Sequence, residues 1–410
     1  MPDLKDKVMQ AMRSLPPLPV AVEKLLAVMN DETSSADDVT QVLSSDQALA
    51  GKVLKLVNSG YYGLSGEVST ITRAVVVLGF SGVRNVAMGF GMVSAMARLG
   101  GASMAAFWDH ALAAGAGAQA MAEQLGGHKD PEEAFIAGLM HDIGHVVLAS
   151  AAPEAWRSTQ TAWLAGAELI ALEKETLGMS HAAVGQRLLE YWRLPTPLQE
   201  AVRHHHDLKT AAGRDQPLTT LVAFGDILAC IHGGGFERPV AEDDLGRLLR
   251  LHCLETKQVR AALAQMDRKI EEMKVFLRIA DECGDLQSPV AGGGEPAGVA
   301  VVLSTDQDRV AWVSGLLEHF GCRTFPLKAY FDREPGSAEV QLVILDPNCM
   351  TSQQLARILP FLDQQPAVTC VLKDSGESPL ADRLAETHPV LPYVFSRQDL
   401  LAAASPRASA

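Results

Sequence analysis

The segment Gly138-Leu-Met-His-Asp-Ile-Gly-His145 sets two imidazoles and a carboxylate among apolar and small residues. Adjacent helix positions point about 100° apart, so His141 and Asp142 can share one cation only if further ligands close around it. Two such ligands have suitable surroundings: His110 in Phe-Trp-Asp-His, and Asp226 in Ala-Phe-Gly-Asp-Ile-Leu-Ala. Each stands in an apolar helical segment, where an unsatisfied imidazole or carboxylate is costly. Two imidazoles and two carboxylates drawn from separate helices make a mixed N/O site with open positions for water. That chemistry suits Mn, Fe, Ni or Zn better than Ca. The competing reading is a buried, hydrogen-bonded His141–Asp142 pair without metal. His145, one turn beyond His141, can serve as a ligand, a general acid or a core histidine.

Histidine is unevenly distributed: eight of the twelve lie between His110 and His206. The acidic excess lies there too. Residues 106–285 carry 17 basic and 26 acidic side chains, a net of −9 of the chain's −14, whereas residues 1–105 carry nine of each. A net negative chain argues against coating DNA or RNA, which begins with a positive surface. It does not exclude phosphate chemistry, because two divalent ions would add four positive charges at the site itself.

The elements that must position these residues are helical. Chain length, 410 residues, predicts two or three domains of roughly 100–200 residues each. Apolar residues recur at three- and four-residue spacing in Val22-Leu25-Leu26-Met29 and Val39-Val42-Leu43, and Ser35-Ala-Asp-Asp38 reads as a capping box opening a helix near Ala36. Asn58-Ser-Gly60 and Leu78-Gly-Phe-Ser-Gly82 punctuate the next helices. Further helices are expected at 103–124, 131–149, 180–193, 196–206, 217–232 and 256–283. The last has Val259, Leu263, Met266, Ile270, Met273 and Leu277 at heptad spacing, which fits either a core-packing helix or an intermolecular coiled coil and so a homodimer. No strand-like alternation precedes residue 298, so residues 1–285 are expected to be all-α, with the metal-site part at about 100–235 and a helical pair at about 240–284.

Residues 286–297, at the boundary marked by Ser288-Pro-Val-Ala-Gly-Gly-Gly-Glu-Pro-Ala-Gly298, read as a Gly/Pro-rich linker. Beyond it, at 298–404, four short branched runs begin at Val299, Gln341, Ala367 and Leu391, with helical stretches at 306–320, 351–363 and 379–387. Buried strands alternating with helices predict a doubly wound α/β domain with a parallel sheet. The six cysteines are scattered without a C-x-x-C pair, which excludes a disulfide framework and a cysteine zinc site. The N-terminus lacks a signal-peptide pattern, and the apolar stretch 74–97 is broken by Arg84 and Asn85. A cytoplasmic protein with no membrane span is expected.

His110, His141-Asp142 and Asp226 resemble, in type and order, the H…HD…D signature of the HD metal-dependent phosphohydrolase superfamily. Leu15-Pro-Pro-Leu-Pro19, Ser45-Asp46, Lys52-Val-Leu-Lys-Leu-Val-Asn-Ser59 and Arg73-Ala-Val-Val-Val-Leu-Gly79 narrow the resemblance to the HDOD family, over about residues 10–285. It implies a helical output domain of a bacterial signalling protein, partnered by other signalling proteins. Many HDOD proteins have lost part of the metal set; here all four positions are kept. His181 and His205-His206 resemble positions that supply a second metal in the related HD-GYP phosphodiesterases, with Asp142 bridging. One or two divalent ions are then implied, with Asp142 and His145 as the catalytic candidates and a nucleotide, such as a cyclic dinucleotide, as ligand or substrate. The chain departs from HD-GYP at His145, where a lysine is usual, and in lacking GYP after the histidine run. Against a ligand role, His181 could be a helix N-terminal residue capped near Ser180, and the run His204–His206 a solvated helix end; the match leaves His204 outside the set. Residues 298–404 resemble a response-regulator receiver, with Asp346 where the phospho-acceptor belongs. Only Asp306 represents the acidic pair, and Leu372-Lys-Asp-Ser375 and Phe395-Ser-Arg397 lack the usual switch hydroxyl and lysine. The resemblance therefore implies a pseudo-receiver that binds a partner and is not phosphorylated.

Overall fold

The computed structural model describes residues 4–14, 18, 20–29, 34–58, 66–97, 105–125, 130–160, 162, 166–207, 217–233, 242–251, 254–280, 299–304, 307–320, 322–325, 341–347, 368–373 and isolated positions between 381 and 400. The chain divides into two compact units. The first is built from Met1–Ala229, Gly234–Arg238 and Gln265–Val290, the second from Cys230–Gly233, Pro239–Ala264 and Ala291–Ala410.

Among the described residues every element before residue 298 is a helix. In chain order these are α1 (Leu4–Ser14), α2 (Val20–Met29), α3 (Ala36–Ser44), α4 (Gln47–Val57), α5 (Ile71–Ala97), α6 (Ala105–Leu125), α7 (Pro131–Met140), α8 (Gly144–Ala151), α9 (Pro153–Gln160), α10 (Gly166–Leu177), α11 (His181–Tyr191), α12 (Thr196–His204), α13 (Pro217–His232), α14 (Glu242–Leu251) and α15 (Thr256–Ala280). Their ends follow local chemistry. Ser35 and Asp38 close the expected capping box, with Asp38 Oδ2 accepting from the Ser35 amide at 2.8 Å. Asn58 ends α4, and its side chain both donates to the Val68 carbonyl (2.8 Å) and accepts from the Val68 amide (2.7 Å). Gly79, with φ of 72°, breaks the helical backbone inside α5 at the expected punctuation.

One expectation needs revision. The helix expected at 131–149 is two helices. The residues His141–Ile143 between them tighten into i→i+3 bonds, such as His145 N–H to Asp142 C=O at 2.9 Å. With about three residues per turn, it brings Asp142 and His145 onto one face. The heptad row on α15 is core in its first half, since Val259, Leu263 and Met266 are all buried. Met273 and Leu277 have side chains outside the described residues.

Small residues set how closely the first unit packs. α6 is buried nearly all round, with Ala111, Ala114, Ala116 and Ala118 at 0% exposure, as expected of a central helix. A Cβ on Gly138 of α7 would lie 2.8 Å from the Ala114 carbonyl, and one on Gly225 of α13 would lie 2.9 Å from the Ala118 Cβ. Gly144, the first residue of α8, admits no side chain either, because its Cβ would collide with the His181 carbonyl at the start of α11. Glycine thus permits the contacts that bring α6, α7, α8, α11 and α13 together. The stretch Pro131–Ala151 is long and apolar enough to cross a membrane, yet 83% of its most apolar window is buried inside the protein.

In the second unit, β1 (Val299–Leu303), β2 (Arg323–Phe325), β3 (Leu342–Leu345), β4 (Val368–Lys373) and β5 (Val390–Pro392) form one sheet in the order β2-β1-β3-β4-β5, every pair parallel. β1 and β3 are buried along their whole length, as strands covered on both faces must be. Helix α16 (Gln307–His319) packs on β1 and β2, burying Trp312, Val313, Leu316 and Leu317. The edge strand β2 was not anticipated, because three residues carry no readable alternation. The linker 286–297, the helix expected at 351–363 and most of that at 379–387 lie outside the described residues, as does Asp306.

Gly144→Ala is expected to lower stability by about 1–3 kcal/mol through overpacking. Gly51→Ala, in the interior of α4 with nothing within 4 Å of a new Cβ, is expected to raise it by about 0.5–1 kcal/mol. Chemical denaturation of the two variants beside the wild type checks both signs.

Candidate metal centre

Seven of the residues singled out in the sequence meet inside the first unit. His110 is carried by α6, His141 and Asp142 by the turn after α7, His181 by the first position of α11, His205 and His206 by the end of α12, and Asp226 by α13. His110 Nε2 lies 3.3 Å from His141 Nε2, 3.1 Å from Asp226 Oδ1 and 3.7 Å from Asp142 Oδ2. His141 Nε2 lies 3.5 Å from Asp142 Oδ1 and 3.6 Å from Asp226 Oδ1. On the other side of the same carboxylate, Asp142 Oδ1 lies 3.2 Å from His181 Nε2 and 3.6 Å from His205 Nε2, and these two nitrogens are 3.4 Å apart. His206 Nδ1 stands 3.5 Å from Asp226 Oδ2, and its Nε2 is buried without a hydrogen-bond partner.

These spacings can be compared with what an ion requires. Ligand atoms about 2.1 Å from a common metal stand roughly 3.0–3.4 Å from one another in octahedral or tetrahedral arrangement. The observed separations of 3.1–3.7 Å need only a slight contraction around an ion. Ring orientation agrees. His141 Nδ1 donates to the Gly138 carbonyl at 2.7 Å, and His205 Nδ1 donates to the Val202 carbonyl at 2.8 Å. A carbonyl only accepts, so each ring carries a proton on Nδ1; Nε2 is the atom that faces a metal, in His141 once it gives up its second proton. Holding the second ring nitrogen in this way is the usual means of orienting a metal-bound histidine. The residues present fit one or two divalent ions.

Electrostatics reflects the same crowding. Burial opposes charging of His141 and His181, but nearby carboxylates outweigh it. Asp142 and Asp226 raise the His141 pKa, and Glu173 and Asp142 raise that of His181 to about 10. Burial also dominates at His205 and His206, where it wins and holds both below the ordinary histidine value. At Asp226 burial is overcome by hydrogen bonds from His110 and His141, and its pKa falls well below the carboxylate norm.

His204, left outside the ligand set, and His145, left open among three roles, stand apart from these seven. His204 is a partly exposed residue between Glu200 and Asp207. His145 is 1% exposed, stacked on His181 with ring centroids 4.1 Å apart. Its Nδ1 accepts from Trp156 Nε1 at 3.1 Å, so its proton is on Nε2, 3.8 Å from Asp142 Oδ2. In the second unit, Asp346 ends β3 fully buried; Ser304 Oγ donates to it at 2.9 Å and Arg309 lies 3.6 Å away. Sequence reasoning missed Glu173. It lies in Leu172-Glu-Lys-Glu175, which looks like a solvated face, but it is 0% exposed. The readable signal was the four-residue row Leu169–Glu173–Leu177, all buried, which places the carboxylate on the apolar stripe of α10.

The model of the HDOD domain matches residues 15–208. This part of the chain is an HDOD domain. Asp226, on α13, lies beyond the matched span but completes the cluster. A protein from Treponema pallidum (strain Nichols), named only as uncharacterized, is 28% identical over 214 residues, which is 52% of this chain but 42% of that protein. The chain thus spans less than half the length of that relative. Among solved structures, one from Shewanella amazonensis SB2B, provisionally named a phosphohydrolase, is 26% identical with a TM-score of 0.50, covering 68% of this chain and 98% of its own. An HDOD domain protein of unknown function from Geobacter sulfurreducens is 24% identical with a TM-score of 0.52, covering 68% and 99%; it shows the same fold.

Metal loading of the HDOD domain is expected to release protons near pH 7 and to weaken as pH falls, because His141 and His181 must give up protons to bind. Calorimetric titrations of Mn²⁺ or Zn²⁺ in buffers of different ionisation enthalpy read that release. In metal-free protein the folded-state pKa of His181 lies above its ordinary 6.5, so its ion pairing stabilises fully below about pH 6.5 and is lost as pH rises toward about 10. Thermal midpoints across that range test the sign.

Proposed function

We propose that the protein is a bacterial signal-transduction protein in which the HDOD module is a regulatory, protein-interaction output that retains an HD-type metal centre. The observation that carries this reading is enclosure. The side chains of His110, His141, Asp142, His181 and His205 are at 0% exposure, and the cluster meets solvent only at His206 (9%) and Asp226 (11%). A structural metal site is closed in this way, whereas a catalytic one keeps an open position. In this reading the first ion is held by His110, His141, Asp142 and Asp226, and the second by Asp142, His181, His205 and His206. The metal ties together helices from distant parts of the sequence and so couples site occupancy to the surface those helices present.

A second reading is favoured by one feature, the Asp142 carboxylate that faces both ligand sets. Two ions bridged by a carboxylate could activate water and clamp a phosphate, making the module a di-metal phosphohydrolase acting on a nucleotide such as a cyclic dinucleotide. The name of the Shewanella amazonensis protein supports that class. A phosphate would then enter at the Asp226–His206 edge, where the cluster meets solvent, while His145 Nε2–H steadies Asp142.

The second unit supports a pseudo-receiver reading. The order β2-β1-β3-β4-β5, all parallel, is that of doubly wound domains with one reversal beside β1 and β3. Asp346 lies at that reversal, yet it is buried and engaged by Ser304, with Arg309 beside it, where a receiver would hold Mg²⁺ and accept a phosphoryl group. Its role is then partner binding.

Protein purified without added metal is expected to hold one to two transition ions per chain by elemental analysis, and His141→Ala to lose at least one. A panel of cyclic dinucleotides, nucleotides and a generic phosphodiester should give no turnover above the His141→Ala background. Turnover abolished by His141→Ala would establish the hydrolase instead. A small phosphoryl donor should transfer no phosphate to Asp346, so that wild type and Asp346→Asn give equal, background incorporation.

A further inference from the structure

Glu173 is a carboxylate in a place where leucine would serve. It occupies the middle of the buried Leu169–Glu173–Leu177 row of α10 and is 0% exposed. A buried carboxylate is costly unless paired, and an apolar residue at such a position is often the more stable choice. Among the described residues its hydrogen-bond donor is His181, while His145 Nδ1, which accepts from Trp156, lies beside it without donating. Oε2 accepts twice from one residue: from the His181 backbone N–H at 2.9 Å and from His181 Nδ1 at 2.7 Å. The first bond fixes where α11 begins, and the second fixes the ring. The opposite nitrogen of that ring, Nε2, is the atom 3.2 Å from Asp142 Oδ1. Oε1 faces His145 Nδ1 at 3.5 Å, on the imidazole stacked against His181.

We propose that Glu173 is the positioning residue of the second metal set: it holds the His181 proton on Nδ1 and presents Nε2 to the ion. This role rests on the metal reading above. His141 and His205 are held by neutral carbonyls, whereas His181 is held by an anion. The anion raises the electron density and basicity of Nε2, which makes His181 the strongest imidazole donor of the set. In this role Glu173 is not itself a ligand, although with His145 and His181 it forms a further group of metal-ligating type. It acts through His181 alone.

The test uses the full-length protein, stripped of metal and titrated calorimetrically with Mn²⁺ and with Zn²⁺. Wild type is expected to show two binding events. Glu173→Gln keeps the shape and loses the charge; it should weaken one event by about 10–100-fold and leave the other unchanged. Glu173→Asp should recover part of the loss. Nitrogen-detected NMR of histidine in the Zn²⁺-loaded wild type should find the His181 proton on Nδ1, a readout that simple packing would not move. Unchanged affinity at both events in Glu173→Gln overturns the proposal. If that variant fails to fold, a His181 proton on Nε2 in the loaded wild type overturns it just as well. Wild type that takes up no ion overturns the metal reading, and this role with it.

Discussion

Three carboxylates, Asp142, Asp226 and Glu173, lie in a nearly dry core, and each must be compensated there. The side chains that compensate them are imidazoles supplied by α6, the α7–α8 turn, α11 and α12. Unlike lysine, imidazole can adjust its charge to the demand. Where carboxylates crowd, at His141 and His181, it takes up a proton; where burial dominates, at His205 and His206, it stays neutral. A divalent ion performs the same compensation with fewer protons. The helical scaffold is therefore organised around a set of negative charges that only protons or metal can satisfy.

That requirement explains why the scaffold is so rich in small residues. Ligand atoms must come within about 3–4 Å from five helical segments, which forces the backbones that carry them into close approach. Ala114 and Ala118 of α6 face Gly138 and Gly225, and Gly144 lies against the start of α11. The tight turn at His141–Ile143 serves the same end. The i→i+3 bonds put Asp142 and His145 one above the other, and His145 stacks on His181.

Much of this was legible in the sequence, for a physical reason. A charged or imidazole side chain flanked by apolar residues must have a buried partner, and His110, His141, Asp142 and Asp226 advertised themselves in that way. The run at 204–206 was legible through its composition, and the resemblance to HD-GYP set the partly exposed His204 outside the ligand set. Glu173 stayed hidden because its immediate neighbours, Lys174 and Glu175, are charged, and only a four-residue row reveals its burial. β2 stayed hidden because three edge residues have no periodicity. The break in the 131–149 helix stayed hidden because His-Asp-Ile carries neither proline nor the glycine pattern of a helix stop; Gly144 reads as a helix interior until its contact with α11 is seen.

By itself, then, the sequence determined which side chains must be buried together, that helices carry them, and that a different, strand-bearing texture follows residue 298. Each of these is set by local patterns of polarity, and polarity is written residue by residue. Only the tertiary structure decided the pairing of atoms: that Asp142 faces two histidine sets with one carboxylate, that Nδ1 and not Nε2 is tied down in His141, His181 and His205, and that Glu173 stands behind His181. Such assignments depend on which backbones approach within a few ångströms and at what angle. Chain segments more than a hundred residues apart, such as His110 and Asp226, acquire that relation only when the helices pack.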